Sequence, residues 1–288
     1  MIICHSEPGT GRKRSTGEES LQRFSVDINL FISIIFFAWL VISKQKGIPM
    51  QGPSISSPPK PSLTLRILGT PLEIAPGFII NLFAIWTGMS WYMGVKHPHW
   101  DWPVRIFAAG LSGFVLIAAD VGHALAHSIS ARAAGAPMDK IDLSSGMPRT
   151  VYYDQAVPPR THILRALGGP LYSALGLVLS LVARSLLPRD SAAREVAGWS
   201  SIGHGLIFTG SLAPLPIVDG GSILKWTLVE SGKAPQEADQ VVEQAGIAAG
   251  LVAGAAGAAF AARRRWLPAA GLLAAGVIAV AAARGKIR

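Results

Sequence analysis

Mostly apolar blocks, each close to the roughly 20 residues that a helix needs to cross a bilayer core of about 30 Å, alternate with short polar segments along the chain. They cover about residues 75–95, 104–127, 164–187, 196–215, 245–262 and 267–283. This pattern predicts an all-α polytopic membrane protein with about six core transmembrane helices. The first block carries the aromatic cluster Trp86, Trp91 and Tyr92, and such rings favour the membrane interface. The fifth repeats Gly246, Gly250, Gly254 and Gly257. Small residues at near-helical intervals let helix backbones approach closely inside lipid, so this span is expected against its neighbours. Its alternative is a weakly hydrophobic hairpin.

The polar block at residues 131–161 has a different period. Lys140-Ile141-Asp142-Leu143 and Thr150-Val151-Tyr152-Tyr153 alternate in strand fashion around Ser144-Ser145-Gly146, with Met147-Pro148 following. A short β-hairpin at the membrane surface is expected there, the alternative being an irregular loop. Ahead of the core, residues 28–42 are strongly apolar, preceded by Arg12, Lys13, Arg14 and Arg23 and followed by Lys44 and Lys46. Without a small-residue cleavage pattern after the run, it does not read as a removable signal peptide. Residues 52–61 form a Pro/Ser linker of the composition expected for disorder. Two readings stay open: an extra anchor span, or a natural start at Met50. The division is therefore an amino-terminal extension over 1–61 and a membrane domain over 62–288.

Composition supports the membrane reading. Of 288 residues 50% are hydrophobic and only 15% charged, against about 25% charged in soluble domains. The net charge of +9 does not point to nucleic acid. Its basic residues sit in short clusters at the ends of apolar blocks, as in Arg263-Arg264-Arg265 and the Arg284, Lys286, Arg288 tail, where they meet anionic headgroups. The single Cys4 excludes an internal disulfide and a cysteine metal cage. Placing the 131–161 loop and the carboxyl tail in the cytoplasm collects most Lys and Arg on that side, although Arg263–Arg265 then falls outside. The location expected is integral and multi-pass, in the cell membrane.

Four polar residues stand inside or at the ends of apolar blocks. Asp120, His123 and His127 fall within roughly 60° of one another on one helical face. Asp219 follows Pro214-Leu215-Pro216-Ile217-Val218 and precedes Gly220-Gly221. The prolines remove backbone donors there and the glycines permit an unwound turn. A carboxylate at mid-membrane costs on the order of 2.5–3.5 kcal/mol, so it needs partners. Two imidazoles at i and i+4 with a carboxylate from another helix make a three-ligand zinc site with one open position. Each residue also has a plain structural role open to it. Asp120 and His123 can pair, His127 can cap its helix end, and Asp219 can bond within its own turn.

These residues resemble the site-2 protease family of intramembrane zinc metalloproteases, whose members carry H-E-x-x-H on one membrane helix and a Pro-rich L-D-G motif on a later one. Three further segments match in order: Leu65 to Ile74 before the first span, Gly122-His123-Ala124-Leu125-Ala126 with Arg132 and Gly135, and Gly168-Gly169-Pro170-Leu171 opening the third. The likeness covers about residues 62–240. It implies that His123 matches the second zinc histidine, Asp219 the carboxylate ligand and Ser211 the family asparagine. Ala119 takes the place of the first histidine and Asp120 that of the catalytic glutamate. One ligand is thus lost and the base is a methylene shorter. His127, one turn beyond His123, can restore the ligand count at a displaced site.

What the resemblance implies is an intramembrane metalloprotease holding one zinc on His123, His127 and Asp219, with Asp120 as the base. Its substrate would be a transmembrane protein segment that adds as a strand to the 131–161 hairpin. The alternative is a non-catalytic relative, a pseudoprotease that binds membrane-protein clients without cutting them. A metal or small-solute carrier is a third reading. His162 and His204 are further histidines, expected away from the site: the first in the loop, the second about 22 Å from Asp219 along an unbroken helix.

Overall fold

The computed structural model describes residues 63–144 and 148–286. Expectations about residues 1–61, including the apolar run, the linker and the Met50 start, lie outside the described residues. The remainder is an integral, multi-pass helical membrane protein with one small sheet.

The order is β1 (Leu63–Ile67), β2 (Thr70–Ile74), α1 (Pro76–Lys96), α2 (Trp102–Ala133), β3 (Lys140–Leu143) and β4 (Arg149–Val151). Then follow α3 (Pro159–Leu186), α4 (Ala192–Ser211), α5 (Asp219–Glu230), α6 (Pro235–Ala262) and α7 (Trp266–Ala283). Proline stands in the first turn of α1, α2, α3 and α6. Its missing N–H is an orphan donor there anyway, and its fixed φ suits the helix, so these residues set the entries sharply.

Among the described residues, five helices are long and apolar enough to cross a membrane: α1, α2, α3, α6 and α7. The 196–215 block also folds as a helix, α4, but it is not one of the five. It carries Arg194, Glu195, three serines and His204. Those polar groups are accommodated because α4 packs against α2 and α3. Ser180 of α3 and Ser200 of α4 share a hydrogen bond at 2.7 Å. Lipid-facing surface is visible elsewhere as large apolar side chains left open, among them Phe83, Phe114, Leu171, Leu175, Val252 and Val277. In water such a surface would mark an interface; here the bilayer covers it.

The β-hairpin expected in the 131–161 segment is present. β3 and β4 pair antiparallel, with Ile141 opposite Thr150. It is half of a larger four-stranded sheet ordered β1-β2-β3-β4. The segment before the first span is itself a hairpin, turning at Leu68 and Gly69 with φ of 50° and 76°, and β2 joins β3 in parallel. Two left-handed residues in a two-residue connection match the twist of paired strands. Leu72, Met138, Ile141 and Leu143 bury one face of the sheet against Ala124 and Ala131 of α2. Thr70 and Ser128 share a hydrogen bond beneath it. The sheet is thereby seated on the carboxyl half of α2, beside His123 and His127.

The Gly-rich span lies against α7. A Cβ on Gly250 would stand 2.7 Å from Val280 Cγ2 and 2.8 Å from the Gly276 carbonyl oxygen. This is backbone-to-backbone packing of the kind small residues allow in membranes.

Candidate metal centre

Three elements meet at His123 and His127. Both histidines are buried on α2. Facing them is the Gly168-Gly169-Pro170 segment of α3, where a Cβ on Gly169 would lie 2.3 Å from His127 Nε2 and 2.4 Å from His123 Nε2. Only a residue without a side chain lets α3 come this close. Pro170 sits inside α3 without breaking it, as prolines in packed membrane helices can.

Asp219 arrives from the break between α4 and α5. After Ser211 the chain leaves the helix and runs through Pro214 and Pro216. It re-enters at Asp219, the first residue of α5. The turn is tight: a Cβ on Gly220 would be 2.3 Å from the Leu212 carbonyl oxygen, and on Gly221 2.0 Å from that of Leu215. The two glycines are therefore required by close backbone approach. At a helix amino terminus the free N–H groups favour a carboxylate.

The result is a convergence of three side chains from α2 and α5. His123 Nε2 lies 3.1 Å from Asp219 Oδ2, and His127 Nε2 lies 3.2 Å from Asp219 Oδ1. The two Nε2 atoms are 3.1 Å apart. One ligand atom from each of the three residues falls within 4.8 Å of the others. The opposite nitrogens are anchored. His127 Nδ1 is 2.8 Å from the Arg165 carbonyl oxygen; a carbonyl only accepts, so Nδ1 donates to it, and the neutral tautomer that makes this bond leaves the Nε2 lone pair for a metal. His123 Nδ1 is 2.9 Å from Ser173 Oγ and can be held in the same tautomer. Outer partners of this kind orient metal-binding imidazoles. Two neutral imidazoles and one carboxylate suit zinc, so the residues present fit the ion that the sequence reading assigned to them.

Asp120 does not join the three. It is half-buried on α2 and lines the same cavity as the histidines and Asp219. Ala119, one turn before His123, is buried and offers no ligand atom. The cavity measures about 1030 Å³ and extends past Arg149 and Thr150 of β4 on one side and Ala253, Leu272 and Ala275 on the other.

His162 and His204 are placed differently from expectation in one respect each. His162 is not in the loop but in the first turn of α3, buried, with its ring stacked on Trp226 at 3.9 Å. His204 stays outside the ligand cluster, but α4 does not continue as an unbroken helix toward Asp219. Its ring sits 5.5 Å from that of Tyr172, where a Cβ on Gly176 would strike it.

Sequence reasoning missed the supporting shell from α3. Arg165 is buried and its Nε donates to the Ala136 carbonyl oxygen at 2.9 Å, while Nη1 donates to that of Asp154 at 3.0 Å. Its guanidinium also lies 4.6 Å from the Tyr152 ring centre. Burial keeps the Tyr152 phenol above its ordinary range, with Arg165 opposing, so the hydroxyl stays neutral. The sequence held one signal for this shell: a charged residue one helical turn before Gly169 within an apolar block.

No family model matches the chain, and no curated protein does. Among solved structures the chain is similar to the Site-2 Protease from Methanocaldococcus jannaschii, at 17% identity and a TM-score of 0.47, covering 78% of this chain and 95% of that one.

Proposed function

We propose that the protein is a site-2 protease-like intramembrane metalloprotease with a zinc site displaced one helical turn along α2. The observation that carries this reading is the convergence of His123, His127 and Asp219, each histidine presenting Nε2 to the carboxylate. The missing ligand at Ala119 is replaced from the other side of His123. Bound zinc would polarise a peptide carbonyl and acidify water at this point.

The chain's own residues supply the rest. His127 and His123 are held in orientation by the Arg165 carbonyl and Ser173. Asp120, on the cavity wall, is assigned as the base that takes the proton of the attacking water and returns it to the departing amine. β4 is the last strand of the sheet, and its Arg149 and Thr150 reach the cavity. An unwound transmembrane segment that pairs with β4 would therefore lead into the site. A non-catalytic relative that binds membrane proteins is the second reading. It is favoured by Ala119, which is buried and has no ligand atom to offer.

Zinc content of the full chain purified in detergent tests the site. His127→Ala and Asp219→Ala should each lose the zinc held here, because two remaining ligands hold zinc poorly against water. Zinc retained at this site in His127→Ala overturns the displaced site. Cleavage of a transmembrane reporter segment by wild type, abolished in Asp120→Asn with zinc retained, separates the protease from its non-catalytic alternative.

A further inference from the structure

A second cluster of ligand atoms lies at the other end of the bundle. His97 and His99 stand in the connection between α1 and α2, and Asp190 in that between α3 and α4. One ligand atom from each falls within 4.8 Å of the others. His99 Nε2 is 3.0 Å from Asp190 Oδ2, and His97 Nδ1 is 3.9 Å from Asp190 Oδ1.

The His97 ring is held in place. It stacks on Trp100 with centroids 3.8 Å apart and planes 9° apart, and only 12% of its side chain is exposed. Its Nε2 is buried without a hydrogen bond of full geometry and faces Glu195 Oε1 at 3.5 Å. Glu195 is itself held by Lys96. A proton on Nε2 pointing at a carboxylate leaves the Nδ1 lone pair directed at Asp190 and His99. That is the carboxylate–histidine–metal order in which an outer carboxylate orients the ring and raises its basicity. A plain ion-pair network has no need of the orientation imposed on His97 from both sides.

We propose that His97 Nδ1, His99 Nε2 and the Asp190 carboxylate form a second divalent transition-metal site of the zinc class, with Glu195 as its outer carboxylate. Two imidazoles and one carboxylate select zinc, copper or nickel over calcium and magnesium, which prefer oxygen alone. The site joins the connection leaving α1 to the one entering α4. Its role is a clamp on the membrane face opposite the sheet. It is independent of the first centre, since Trp102 at the start of α2 is separated from His123 by about 32 Å of helix.

The test is zinc stoichiometry of the full chain in detergent, with zinc alone as the probe. Wild type should bind two equivalents. His99→Gln and Asp190→Asn should each lose one and keep the zinc that Asp219→Asn removes; Asp219→Asn should keep the zinc that they remove. Both altered side chains are more than half exposed, at 56% and 68%, so the fold does not depend on them. Glu195→Gln should weaken the second site by about 10–100-fold. Unchanged stoichiometry and affinity in both His99→Gln and Asp190→Asn would overturn the proposal. So would a single equivalent lost only in Asp219→Asn, a result that leaves the first centre standing. A single equivalent kept by Asp219→Asn and lost in His99→Gln would sustain the second site while removing the proposed protease centre.

Discussion

Replacing Gly169 by alanine tests the first centre without touching a ligand. The added Cβ would lie 2.3 Å from His127 Nε2 and 2.4 Å from His123 Nε2, so the rings or α3 must give way by about 1 Å to reach ordinary contact. In stability two effects oppose each other. Alanine is favoured over glycine within a helix by about 1 kcal/mol, and overpacking costs about 1–3 kcal/mol, leaving at most a modest net loss. The metal site is far less tolerant, because ligand distances must hold to about 0.2 Å. Any shift of α3 also moves the Arg165 carbonyl that holds His127. Zinc affinity at this centre should therefore fall by about a hundredfold, in the range for disturbing outer partners, with little change in melting temperature. Competition with a chromophoric chelator measures the first and thermal unfolding in detergent the second. Gly88→Ala on α1, where nothing lies within 4 Å of the new Cβ, is the control. Unchanged zinc affinity in Gly169→Ala would show that the histidines do not hold metal in this geometry.

Three further outcomes are expected. Gly276→Val, whose Cβ would meet the Gly250 carbonyl oxygen at 2.7 Å, should destabilise the α6–α7 pair by about 1–3 kcal/mol; an unchanged melting curve in detergent would refute that packing. Reporter fusions in the 131–161 loop and after Arg288 should report the same, cytoplasmic side if α4 crosses together with the apolar α3, α6 and α7; opposite sides would mean that one of these four does not traverse. A chain starting at Met50 should insert and accumulate at ordinary levels, and recovery of only degraded or aggregated protein would show that residues 1–49 are integral.

The lengths and apolarity of the spans were legible in the sequence because lipid imposes a one-dimensional requirement, about 20 apolar residues for each crossing. The i, i+4 spacing of His123 and His127 was legible for a similar reason: helix geometry alone puts them on one face. The Gly repeat at 246–257 likewise announced close packing, although not which helix it met. Long-range geometry decided the rest. The pairing of β2 with β3 joins residues separated by α1 and α2, and no local period records such a partner. The exclusion of α4 from the apolar spans reflects its polar composition, while its burial depends on neighbours supplied by α2 and α3. That Asp219 meets both histidines follows from the glycine-dependent turn after Ser211. That the rings are held for coordination follows from α3 approaching at Gly169, a contact between residues 42 positions apart. Sequence spacing determines which side chains share one helix face; only the folded chain determines which atoms from other helices stand opposite them.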